Sequence, residues 1–158
     1  MELEVITMTP PADDGLQDVR HRREALGGAA DDYEALLARP ATSPQWTAGV
    51  AQATHQLLAA FDDHIHEVEA DDGLLPQLLG DEPRLANTIQ RMYDEHVSIT
   101  ADLTAVEQLV IDCGDACDID AVTKIRQQAL EVLMAISVHR QAGADLIWNA
   151  YNVDIGGG

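Results

Sequence analysis

Apolar residues recur alternately three and four positions apart along four stretches of this chain. That spacing holds a stripe on one face of a helix with 3.6 residues per turn. One stripe runs Leu85, Ile89, Met92, His96, Ile99, Leu103, Val106, Val110 without a gap. A second runs Ile125, Ala129, Val132, Ile136, His139, Gly143, Leu146, Ala150, and a third Trp46, Val50, Ala53, Leu57, Phe61, His64, Val68. The stripe nearest the N-terminus is less regular, with Val19, Leu26, Ala30, Tyr33 and Leu37. Strand signals are weak throughout.

Proline, glycine and capping residues set the expected boundaries. Residues 1–13 form a mobile leading segment, because Pro10-Pro11 excludes a helix there. The first helix spans about Gly15 to Arg39 and stops before Pro40, which pushes its predecessor out of the α region. The second opens at Ser43-Pro44, a capping residue followed by proline in the first helical position, and ends near Ala70. Asp71-Asp72-Gly73 supplies a turn, and one further turn of helix fits Leu74–Leu79. The third helix opens at Asp81-Glu82-Pro83 and reaches about Ile111. An acidic loop, Cys113–Asp120, leads to a fourth helix capped by Asp118 or Asp120 and ending near Ala150 or Tyr151. Residues 152–158, closing in three glycines, form a flexible tail. Four long helices with short connections predict an all-α fold, an antiparallel up-down-up-down four-helix bundle over residues 14–151.

Composition narrows the partners. The 158 residues carry 9 Lys+Arg against 28 Asp+Glu, a net charge of −19, which disfavours nucleic acid and anionic membranes. The core must be aliphatic, since 46% of residues are hydrophobic but only 4% aromatic. No apolar run is long enough to span a bilayer, and the N-terminus lacks the pattern of a secretory signal. A soluble, cytoplasmic protein is the expectation.

Each clean stripe contains one polar member, and it is a histidine: His64, His96, His139. His21 lies beside the first stripe, on a line of mostly small residues with Ala25, Gly28 and Asp32. At about 1.5 Å of rise per residue, the four imidazoles fall in the same half of an antiparallel bundle. An imidazole in an aliphatic seam needs a partner for each nitrogen. Several converging rings can be satisfied together by a metal ion, which neutral imidazole binds well.

With those histidines in place, the chain resembles the hemerythrin-like family, the HHE cation-binding domains. The stretches FDDHIHEVEADDGLLPQLL, RMYDEHVSITADL and VHRQAGADLIWNAY carry the likeness, which covers about residues 16–151. It implies a non-haem diiron centre, with His21, His64, His96 and His139 matching the family's histidines, and dealings with O2, peroxide, nitric oxide or iron itself. The imidazoles here are expected to hold one or two iron ions.

The chain departs from the family pattern at the carboxylates. Val68 and Gly143 stand four residues after His64 and His139, where the family has glutamates. The available substitutes are Glu67, three after His64, and Glu69, three after His66. Asp145 reaches inward only through a bulge, and Tyr93 lies one turn before His96. The alternative is a metal-free bundle serving as an interaction or regulatory module, its histidines paired to Glu67, Glu95, Asp32 or Asp145. A hydrolytic or oxidative enzyme is a third reading, but no seam Ser or Cys accompanies the histidines.

Other signals have plainer readings. His66 and His55 belong on the surface. Cys113 and Cys117 are incidental loop cysteines, since the loop is acidic and a second pair is lacking. The aspartates at 112, 115, 118 and 120 lack the glycine and terminal glutamate of a calcium loop. They make a solvated loop and a helix cap. Gly143 implies either a close helix crossing or open space beside His139.

Overall fold

The structure, a computed structural model, describes residues 13–42, 44–115 and 117–152, with side chains from His21 onward except that of Pro44. The expected leading and trailing segments, Ser43 as a cap, and Val19 as a seam side chain lie outside the described residues. Within them the chain is all-α, with helices and no strand. The long helices are α1 (Asp13–Leu37), α2 (Pro44–Glu69), α4 (Ala86–Cys113) and α5 (Ile119–Asn152). A short α3 (Leu74–Asp81) and a 3-10 turn (Pro83–Leu85) join α2 to α4. Among the described residues no helix is long and apolar enough to cross a membrane.

The stripes do what their spacing predicts. All eight members of the α4 stripe are buried, from Leu85 to Val110. On α5, Ile125, Ala129, Val132, Ile136, His139 and Leu146 are buried, with Gly143 and Ala150 half-buried. α1 buries Leu26, Tyr33 and Leu37. α1 packs on α2, α2 on α4, α4 on α5, and α5 back on α1. The ring of helices encloses a large core that includes Leu57, Phe61, Leu103 and Ile136. A smaller core, with Leu75, Leu78, Ile89, Met92 and Leu146, forms where α3 and the 3-10 turn close one end.

Polar groups inside this core are matched. The Tyr33 hydroxyl, fully buried, lies 2.9 Å from Thr54 Oγ1, which donates to the Val50 carbonyl at 2.7 Å. Burial pushes the Tyr33 phenol above its usual range.

Helix ends are tied by side chains from other elements, because the last carbonyls of a helix lack partners within it. Arg126 donates to the carbonyls of Leu37 (3.0 Å) and Arg39 (2.7 Å) at the end of α1, and stacks over Trp46. The Trp46 indole donates to the Leu36 carbonyl beside them. Arg84 likewise donates to the Asn149 carbonyl near the end of α5.

Some boundaries differ from expectation. Pro83 opens the 3-10 turn rather than α4, and neither that turn nor α4 has a side-chain cap. The α5 cap is Asp118, whose Oδ1 accepts from the Ala121 amide at 2.7 Å. Cys113 and Cys117 are not incidental: their Cα atoms stand 5.1 Å apart and the sulfurs are bonded. That separation is one a disulfide spans.

A matched pair of truncations tests the packing. Leu103→Ala, at a fully buried position, is expected to lower unfolding free energy by about 2–5 kcal/mol in urea titration. Ile111→Ala, at a position 62% exposed, should change it by less than about 0.5 kcal/mol.

Candidate metal centre

His64, His96 and His139 meet between the two cores. One turn away on their own helices, Phe61, Ile99 and Ile136 belong to the large core. On the other side Val68, Met92 and Leu146 belong to the small one. The Phe61 ring floors the cluster, its centroid 5.9 Å from each of the three imidazoles. The ligand atoms of the three histidines lie within 4.8 Å of one another, close enough to hold a metal ion. His96 and His139 are each 1% exposed, while His64 is half-buried.

Two carboxylates decide which way the rings face. His96 Nδ1 lies 2.6 Å from Glu69 Oε1, and His139 Nδ1 lies 2.7 Å from Glu95 Oε2. An ionised carboxylate only accepts, so both Nδ1 atoms carry the proton. Both Nε2 atoms are then left with lone pairs, and they point at each other across 3.0 Å. His64 Nε2 completes the group, 3.3 Å from His139 Nε2. Two facing lone pairs at that distance repel unless a cation, metal or proton, lies between them. Two imidazoles bound tetrahedrally to one zinc-like ion place their nitrogens about 3.3 Å apart, given bonds of roughly 2.0–2.1 Å. The donor set therefore fits one ion. Glu69 and Glu95 take the place of the carboxylates that commonly orient metal-binding histidines from behind.

Electrostatics favour the neutral form of His64 and of His139. His64 is lowered to about 4 by burial first, then by the neighbouring His139 and His96, with smaller effects from Arg23 and Arg140. Burial also lowers His139, against the opposing pull of its bond to Glu95.

The remaining expected ligands are not brought together here. His21 is corrected: its side chain is 78% exposed, 4.0 Å from Glu24. The reason is angular, since five residues before Leu26 is about 140° round the helix from the seam. The small-residue line through Ala25, Gly28 and Asp32 faces solvent with it. Asp145 is exposed and accepts from Gln141, its neighbour on α5. Glu67 is half-buried and outside the cluster. Glu69 is present but sits behind His96. It partners His96 rather than His66, which is exposed and bonded to the Asp62 carbonyl. Tyr93 is half-buried, its phenol raised by burial and by Glu69. His55 is exposed, 3.5 Å from Glu107. The role of Glu95 beside His139 is the feature that spacing least reveals, because the two residues lie on different helices.

A cleft of about 400 Å³ opens beside the cluster, and His64, His139 and Gly143 line it. Gly143 does not mark a close crossing of backbones. A methyl there would meet only Met92 Cε, at 3.7 Å. The glycine instead widens the space next to His139.

No family model, no curated protein and no solved structure matches the chain.

Two outcomes follow from this site. An imidazole held below its usual range stabilises the fold fully above about pH 6.5, and the contribution is lost as pH falls toward 4. Chelator-treated protein should therefore lose melting temperature between pH 7.5 and 5, and His64→Leu should lose less; parallel curves would contradict the shift. Gly143→Ala should raise unfolding free energy by about 1 kcal/mol through helix propensity, measured in urea.

Proposed function

We propose that the protein is a metal-binding bundle in which His64, His96 and His139 hold one transition-metal ion through their Nε2 atoms. The observation that carries this reading is the 3.0 Å approach of two Nε2 lone pairs, each turned inward by a carboxylate on the opposite ring nitrogen. Iron is the ion favoured by the resemblance to hemerythrin-like domains. Neutral imidazole suits it, as it does zinc, copper and nickel. We read the four long helices as an antiparallel up-down-up-down bundle, since short connections at residues 38–43 and 114–118 join neighbours that pack on each other.

Bound iron would supply a coordination position for O2, peroxide or nitric oxide. The chain's own residues prepare for such a ligand. Glu69 and Glu95 fix the tautomers of their histidines and raise ring basicity. Phe61 excludes water from below, and the space beside Gly143 leaves room next to His139. One ion rather than two follows from the carboxylates: Val68 and Gly143 replace the family's glutamates, and Glu69 and Glu95 are engaged with ring nitrogens.

A metal-free module is the second reading. It is favoured by one observation: no buried side-chain nitrogen or oxygen among the described residues lacks a hydrogen-bond partner. There a shared proton would take the ion's place between His96 and His139.

Titration of chelator-treated protein with Fe(II) under anaerobic conditions separates the two. The expected result is one ion per chain and a higher melting temperature. His96→Ala should weaken binding at least about a hundredfold, and Glu69→Gln or Glu95→Gln about 10–100-fold. His21→Ala should leave it unchanged. Two ions per chain would favour a bridged pair, and no binding would favour the metal-free module.

A further inference from the structure

The cleft beside the histidines has a charge character opposite to that of the chain. The protein carries 28 acidic residues and 9 basic ones. Yet among the residues lining the cleft there is no carboxylate, while Arg23 and Arg140 both border it.

These two arginines border the cleft from α1 and α5, which pack on each other. Arg140 follows His139 on α5 and reaches across to α1. Its Nη2 and Nη1 lie 3.1 Å and 3.3 Å from where a Cβ on Gly27 would stand. Arg23 precedes Gly27 by one turn on the same face of α1. Both guanidiniums also contribute, after burial and the neighbouring histidines, to the lowering of His64. No carboxylate forms an ion pair with either arginine among the described residues. Arg126 and Arg84, by contrast, are committed to helix-end carbonyls.

Beside the histidines, Ser137 and Gln141, much of the wall is apolar: Leu26, Val68, Leu74, Leu75, Met92 and Leu146. A guanidinium fork matches a carboxylate in two parallel bonds, and an aliphatic wall rewards an aliphatic body. An inorganic anion leaves that wall unused, and a neutral apolar molecule leaves the arginines unused. We propose that the cleft binds a small carboxylic acid with a short aliphatic chain, its carboxylate held by Arg23 and Arg140 and its chain along the leucine-rich wall. The inference goes beyond the metal reading and stands on the cleft alone, so it is tested on metal-free protein.

Calorimetric titration of chelator-treated protein with hexanoate, hexan-1-ol and acetate tests it. Hexanoate should bind at least about tenfold more tightly than either of the others. The Arg23→Gln/Arg140→Gln double variant should lose about tenfold in hexanoate affinity while binding hexan-1-ol unchanged. Arg22→Gln, beside Arg23 but outside the cleft lining, should behave as the parent. If the double variant melts without cooperativity, Arg23→Gln alone decides, with a loss of about threefold expected. The proposal is overturned if hexanoate does not bind, if hexan-1-ol or acetate binds as tightly, or if the deciding variant keeps the parent's hexanoate affinity.

Discussion

Two hydrogen bonds between buried imidazoles and half-buried carboxylates govern the character of this molecule. Glu69 and Glu95 accept hydrogen bonds from Nδ1 of His96 and His139, and thereby turn two Nε2 lone pairs toward one point in the core. Had the carboxylates been absent, each ring could adopt the other tautomer, and the pair would satisfy itself with one hydrogen bond. With them present, the centre of the cluster calls for positive charge. Burial makes this demand sharper, since it disfavours the protonated imidazoles that would otherwise supply it.

The bundle provides the setting for that chemistry at modest structural cost. A layer of three histidines interrupts a largely aliphatic interior and divides it into a large and a small core. The large core, with Phe61 at its upper face, holds the helices in register beneath the rings. The small core leaves a cleft on the far side, where a glycine stands in place of a larger seam residue. Rigid packing below and open space above are what a site needs if it is to keep its donors fixed and still admit a ligand.

Much of this was legible in the chain because helix periodicity is a strong signal. The seams of α4 and α5 contain His96 and His139 as lone polar members, so their burial followed directly from spacing. His64 was found in the same way. His21 was not placed correctly, because the first stripe is irregular and small residues beside it imitate an approach surface. The carboxylate partners were harder still. Glu69 and Glu95 act across helices, on nitrogens that face away from the cluster centre, and no spacing rule within one helix links them to their rings. Arg23 and Arg140 were hidden for a related reason: that both border one cleft depends on how α1 packs on α5, which is a property of packing rather than of local pattern.

The tautomers of His96 and His139 test the central claim most directly. Nitrogen-15 NMR of histidine-labelled protein, recorded with one equivalent of Zn(II) as a diamagnetic probe, reads them ring by ring. The account predicts that both rings keep the proton on Nδ1, and that both Nε2 resonances move when zinc is added. Protons found on Nε2, or resonances unmoved by zinc, would contradict it.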